Sequence, residues 1–222
     1  MHLPLVTSSP APLASPDYGE PGVPVRVMLL GVRVTAYAVI SIAEHQRREA
    51  AGMGAVINPA LLDQLMNLPV GMPVTDPVVW AEMADQPRGV LERDEDGARI
   101  TRRLGPPLTI TDVVVDATAG KELRAVQDAS LFAGFTRRWI AATSSRTPDA
   151  AMLEAKLCGV GIVDQRHGLL LPAEKPDDLT RDGWSWLLEE KTYRRWLTRR
   201  AGAGEQESSA RATDGASDAG AG

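Results

Sequence analysis

Thr109-Ile-Thr-Asp-Val-Val-Val-Asp-Ala-Thr118 carries most of the fold information in this chain, because its β-branched residues predict a buried strand. It is followed by a predicted helix over about 121–135 and a strand over 138–143. A helix capped by Thr147-Pro148-Asp149 and a last strand or hairpin ending near Ala173 come next. Short connections of this kind predict parallel strands joined by helical crossovers. The sequence therefore predicts an α/β fold: a mixed central sheet of four to six strands, with flanking helices on both sides.

The segments before this unit carry shorter signals. Val25–Val32 predicts a strand, and Thr35–Ala51 has the apolar spacing of a helix. Asn58-Pro59 and Asp76-Pro77 each predict the start of a short helix, because Asn and Asp cap helices and proline suits the first turn. A hairpin turning at Asp96-Gly97 is also predicted, since Asp-Gly favours a tight turn.

Composition sets the limits of the folded part. With 44% hydrophobic and 24% charged residues, the chain has the balance of a globular protein. Residues 1–24 and 201–222 contain little that can be buried, so a disordered leader and tail are predicted around a single α/β domain over 25–200. The single cysteine indicates a reducing cytoplasm. Arg33 interrupts the longest apolar run, so no membrane span is predicted.

Acidic residues lie at alternating positions of the 109–118 strand. Asp112, Asp116 and Thr118 fall on one side of the pleat and are expected to be exposed there. Four residues of strand separate the two acids by about 13 Å, which is too far for them to share one metal ion. A second ligand for Asp116 would have to come from elsewhere, and Asp94 and Asp96 in the predicted hairpin are the candidates.

Three segments of this unit resemble the C-terminal half of PD-(D/E)xK nuclease-like domains, which have the restriction-endonuclease fold. Residues 113–118 occupy the place of the (D/E)xK strand, residues 125–133 look like the helix that follows it, and residues 154–163 resemble the late helix running into the last core strand. The resemblance is limited to residues 109–173, and its motifs are short and apolar.

The resemblance implies a DNA-associated protein, either a divergent Mg²⁺-dependent nuclease or an inactive relative. Asp116 would be a metal ligand, with Asp94 or Asp96 as its partner, since Mg²⁺ prefers oxygen ligands. Thr118 stands where the family has lysine, so Lys121 would be the cation that orients the attacking water. Gln127 matches the glutamine that some members carry in the following helix.

Two further features bear on partners. Net charge is −5, so contact with DNA needs a local basic patch, and Arg137-Arg138 and Arg194-Arg195 are predicted to contribute to it. The alternative function is non-enzymatic: the Trp-rich helix over 181–200 would dock a protein partner or another copy of the chain. Its apolar residues occupy two sides, which predicts a helix packed between neighbours.

Overall fold

The computed structural model describes residues 22–75, 89–143, 147–164, 168–176 and 181–217, with side chains of the last segment to residue 202. The predicted helix at Asp76-Pro77 lies outside these residues. The described strands are β1 Val23–Leu29, β2 Val32–Ile40, β3 Pro73–Val74, β4 Leu91–Arg93, β5 Ile100–Arg102, β6 Leu108–Ala117, β7 Arg137–Ala142, β8 Gly161–Asp164 and β9 Gly168–Leu171. The described helices are α1 Ile42–Ala50, α2 Pro59–Met66, α3 Glu122–Ser130, α4 Asp149–Leu157 and α5 Gly183–Ser217.

The predicted α/β architecture is confirmed, with a mixed sheet of six strands in the order β1-β2-β6-β7-β8-β9. Strands β6, β7 and β8 run parallel and are connected by α3 and α4, as the pattern after Thr109 predicts. The strands on either side of them pair antiparallel. A separate sheet has the order β3-β5-β4 and contains the predicted hairpin, with Gly97 at φ 68°.

The prediction of a helix over Thr35–Ala51 is wrong for its first half, which forms β2. Alternate residues of β2 face the core, and both strand edges are hydrogen-bonded, one to β1 and the other to β6. This pairing satisfies the backbone of a β-branched segment whose apolar spacing also suits a helix. The helix begins only after Ser41, whose hydroxyl accepts a hydrogen bond from the Glu44 amide.

Helices α3, α4 and α5 supply the main core on one face of the six-stranded sheet, whereas helices on both faces were expected. Val126, Ala155 and Leu188 come from these helices and pack with alternate strand residues. Parallel strands added in one direction place their crossover helices on the same face, because the crossovers share one hand. On the opposite face, the described residues form a small cluster of Tyr37, Val114, Trp139 and Ala141 that contains no helix.

Helix α5 lies between two cores, which confirms the prediction of a helix packed between neighbours. Trp186 and Leu187 join α2 and the small sheet in the second core. Leu188 and Tyr193 join the main core. The backbone remains helical to Ser217, beyond the predicted end near residue 200.

A buried ion pair fixes α5 to α1. Arg48 and Glu190 are both fully buried, and their two guanidinium–carboxylate contacts measure 2.6 and 2.8 Å. Arg48 also donates to Glu44 and to the Gly105 carbonyl, each at 2.8 Å. Glu190 in turn accepts from the Val56 amide at 2.8 Å. This bidentate geometry sets the position of α5 over the sheet.

Candidate nucleic-acid interface

A basic groove, defined here by its lining residues, lies between the β1–β2 hairpin and α5 and has a volume of about 910 Å³. Five of the lining residues are cations and one is an acid. They are Arg26, Arg33, Lys191, Arg194, Arg195 and Asp116, and the rest of the lining is Val27, Met28, Val34, Thr35 and Thr198. A chain with a net charge of −5 thus concentrates positive charge in one place.

The hairpin wall owes its two arginines to the register of β1 and β2. Leu29 pairs with Val32, so the turn consists of Leu30 and Gly31, both with positive φ. Such a turn keeps the two strands in tight register. Arg26 lies opposite Thr35 and Arg33 lies opposite Met28, so both arginines are on one face of the hairpin.

Asp116 enters the groove from the neighbouring strand. Thr35 of β2 pairs with Val114 of β6, and continuing this antiparallel register by two residues places Asp116 beside Arg33. The Asp116 side chain is exposed. The predicted metal ligand therefore lies next to arginine in a basic environment.

The other wall is a stripe on α5. Lys191, Arg194, Arg195 and Thr198 are spaced by three, four and seven residues from the first, so they share one side of the helix. The opposite side of this helix carries Tyr193 and Trp196, which pack in the main core. Burial of the aromatic side thus directs the basic side to the groove.

None of the five groove cations forms an ion pair with another residue in the described part of the chain. Arg26, Arg33, Arg194 and Arg195 are exposed, and Lys191 is half-buried. Clustered like charges repel one another, and this repulsion is relieved when an anion binds among them. None of the described residues that line the groove is aromatic, so its chemistry suits phosphate groups rather than stacked bases.

Asp112 differs from its expected exposure, since it is 4% exposed on the face that also carries Asp116. Its carboxylate lies 2.9 Å from the Arg137 guanidinium and accepts a 2.9 Å hydrogen bond from the Trp139 indole. Burial raises the pKa of the nearby Tyr37 hydroxyl, and the charges of Asp112 and Asp116 raise it further. Asp112 therefore organises this face of the sheet internally.

Arg137 and Arg138, predicted to contact nucleic acid, are not among the groove residues. Arg137 is half-buried and paired with Asp112, and Arg138 is only 8% exposed on the opposite face of β7. Strand alternation explains their different surroundings, because it points Arg137 to the face of Asp112 and Trp139 and Arg138 to the face of the main core.

The other predicted catalytic and metal residues are spread over separate elements. Lys121 and Gln127 are exposed at the start and in the middle of α3, and neither lines the groove. Asp94 and Asp96 are exposed in the β4–β5 hairpin of the small sheet, where Asp94 accepts a hydrogen bond from the Arg99 amide. Among the described residues, no group of three or more His, Cys, Asp or Glu is positioned to hold a metal ion.

The tryptophans proposed as a docking surface on α5 differ in their surroundings. Trp186 is fully buried in the second core, and Trp196 packs edge-on against His45 with ring centroids 4.9 Å apart. Trp184 is 59% exposed. Most of the aromatic surface of this helix is thus in contact with the rest of the chain.

Comparison with known proteins gives no match to a protein-family model, a curated protein or a solved structure. No helix in the described segments combines the length and apolar character that crossing a membrane requires.

Sequence reasoning missed Arg26, Arg33 and Lys191 as groove residues. The available signal was the alternation in Val32–Ile40, which pairs this segment with the preceding strand across a two-residue turn. That register would have put both hairpin arginines on one face. Lys191 lies three and four residues before Arg194-Arg195, and this spacing places all three on one helix side.

Proposed function

We propose that this protein binds duplex DNA through its phosphate backbone in the basic groove. The observation that carries this proposal is the set of five cations that line one groove, without ion-pair partners in the described segments. Phosphate contacts of this kind hold a nucleic acid without reading its sequence. Binding is therefore expected to be sequence-independent and strongly dependent on salt.

A metal-dependent reaction is not part of this proposal. Mg²⁺ needs several oxygen ligands, and the described residues do not bring Asp94 or Asp96 together with Asp116 into such a set. The described residues do not assemble the metal centre that the family resemblance implies. DNA binding by an inactive relative is the part of that expectation which the groove supports.

The test is fluorescence anisotropy of a short labelled duplex, measured between about 50 and 200 mM salt. If all five cations meet phosphates, log Kd should rise with log salt at a slope of about 4.5, weakening binding about 500-fold over this range. In the double variant Arg194→Ala/Arg195→Ala, the slope should fall to about 2.7, so that binding weakens only about 40-fold over the same salt range.

The matched control is Arg99→Ala/Arg124→Ala, which removes the same charge from two exposed arginines outside the groove. The proposal predicts a slope close to that of the wild type for this variant. The proposal would be contradicted if the wild type did not bind at low salt, or if the slope fell equally in both double variants.

Asp116→Asn provides a separate readout. Removing the one acid of the groove should tighten DNA binding about twofold, the size expected for one charge near a phosphate across water. The same samples are incubated with Mg²⁺ and supercoiled plasmid. Mg²⁺-dependent cleavage by the wild type that is lost in Asp116→Asn would overturn the binding-only proposal in favour of a nuclease.

A further inference from the structure

A second cavity, here called the Glu189 pocket, lies between the start of α5 and the beginning of β6 and has a volume of about 240 Å³. It shares no lining residue with the basic groove. Its lining combines an apolar part, Ile110 and Phe135, with a polar part that includes Thr109, Arg181 and Glu189. The volume is below that of drug-sized sites, so the pocket suits a ligand of few atoms.

Glu189 has one carboxylate oxygen with a partner and one without. The Arg181 guanidinium donates to Oε1 at 2.7 Å. Oε2 is buried and has no hydrogen-bond partner among the described residues. The whole residue is 6% exposed, so a donor to this oxygen would have to enter through the pocket. A buried acceptor without a partner is costly, which indicates a group that binds here.

A second unpartnered group borders the same space. The hydroxyl of Thr136 is buried and makes no hydrogen bond in the described part of the chain. Thr136 and Glu189 both line an inner void of about 20 Å³ that shares Ile110, Phe135 and Ser185 with the larger pocket. A void of this size holds one small polar group or one water molecule.

The charges around Glu189 are few. The pKa of its carboxyl is raised to about 7, mainly by burial, which outweighs the lowering by Arg181, and the adjacent Glu190 adds a smaller rise. Strand β1, strand β6 and the α3–β7 connection contribute only uncharged side chains to the two linings. A cation that donated to Oε2 would therefore compete with a proton for this carboxyl near neutral pH.

We propose that the Glu189 pocket is a binding site for a small primary amine, whose ammonium donates to Oε2 of Glu189 and whose apolar part contacts Phe135 and Ile110. An ammonium has three donors and no acceptor, so it can also donate a hydrogen bond to the Thr136 hydroxyl oxygen. Charge-assisted hydrogen bonds to a carboxylate are about twice as strong as neutral ones. Arg181 repels a bound ammonium, but this repulsion is reduced because the Arg181 side chain is 38% exposed to solvent.

The experiment titrates benzylamine into the full chain and follows backbone amides by NMR. We expect a Kd of about 1 mM, with shift changes centred on Ile110 and Phe135. Benzyl alcohol, of similar shape but neutral, should bind at least about tenfold more weakly. Between pH 6 and pH 8 the affinity for benzylamine should rise about tenfold as the carboxyl loses its proton.

Glu189→Gln should bind benzylamine at least about tenfold more weakly than the wild type, because a neutral amide replaces the carboxylate. Its affinity for benzylamine should also no longer depend on pH. Glu174→Gln, at an exposed glutamate outside the pocket, should bind as the wild type does. Equal binding of amine and alcohol, no binding to the wild type, or shifts centred elsewhere would overturn the proposal. The wild-type pH series and shift map decide the matter even if Glu189→Gln does not fold.

Discussion

Arg48→Met is expected to destabilise the protein strongly, because it leaves a fully buried carboxylate without its cation. The wild-type guanidinium makes two contacts of 2.6 and 2.8 Å to Glu190 and donates to Glu44 and the Gly105 carbonyl at 2.8 Å. In the variant, the donors left to Glu190 among the described residues are the Val56 amide and the Trp186 indole. Breaking one side of a buried ion pair costs about 3–5 kcal/mol.

The assay is urea denaturation followed by circular dichroism, which reports the free energy of unfolding. The matched control is Arg47→Met on the same helix. Arg47 also pairs with Glu44 at 2.8 Å, but its side chain is 30% exposed, so we expect a loss of about 1 kcal/mol or less.

Adding Glu190→Gln to Arg48→Met should restore about 1–2 kcal/mol, since the uncompensated charge is removed while an acceptor for the Val56 amide remains. The reasoning is refuted if Arg48→Met unfolds at the same urea concentration as Arg47→Met. It is also refuted if the effects of Arg48→Met and Glu190→Gln simply add, because residues joined in a buried pair must be coupled.

Two other variants probe the packing around the pocket and the sheet. Burial raises the pKa of Glu189 from 4.5 to about 7, so the folded state binds more protons than the unfolded state within this window and stability falls as pH rises through it. The free energy of unfolding of Glu189→Gln should therefore rise, relative to that of the wild type, by up to about 3 kcal/mol from pH 4.5 to pH 7. Urea denaturation at each pH measures this difference, and a difference that does not change with pH would contradict the assignment. Gly161→Ala should cost about 1–3 kcal/mol, because the new Cβ overlaps the Trp139 ring, which is held by its hydrogen bond to Asp112. Gly54→Ala, where a Cβ has open space, is the control, and equal thermal stability of the two variants would count against the packing described for Trp139.

Local patterns were sufficient for the parallel half of the fold. The β-branched run of β6, the helical spacing of α3 and α4, and the short links between them each favour one structure, and together they favour the parallel arrangement that is observed. The Asp96-Gly97 turn and the Asn58 cap are likewise local and are confirmed. The domain boundaries and the nuclease resemblance stay predictions.

The exposure of the predicted site residues could be anticipated only where it depended on a single element. Asp116, Arg194 and Arg195 lie in the groove, and each is exposed because its own strand or helix turns that side outward. Arg137 and Arg138 carry the same charge in the same Arg-Arg pattern, yet the neighbouring strands bury them. Sequence alone does not distinguish these pairs, since burial depends on which elements pack against each face.

The sequence alone therefore specifies the order of strands and helices from Leu108 onward and the basic and aromatic sides of α5, because short-range spacing encodes both. The strand at Val32–Ile40 and the groove depend instead on pairing between distant parts of the chain. Val32–Ile40 becomes a strand because β1 and β6 hydrogen-bond both of its edges. The groove exists because the β1–β2 pairing brings Arg26 and Arg33 near a helix about 160 residues further along the chain, and the Arg48–Glu190 pair holds that helix in place.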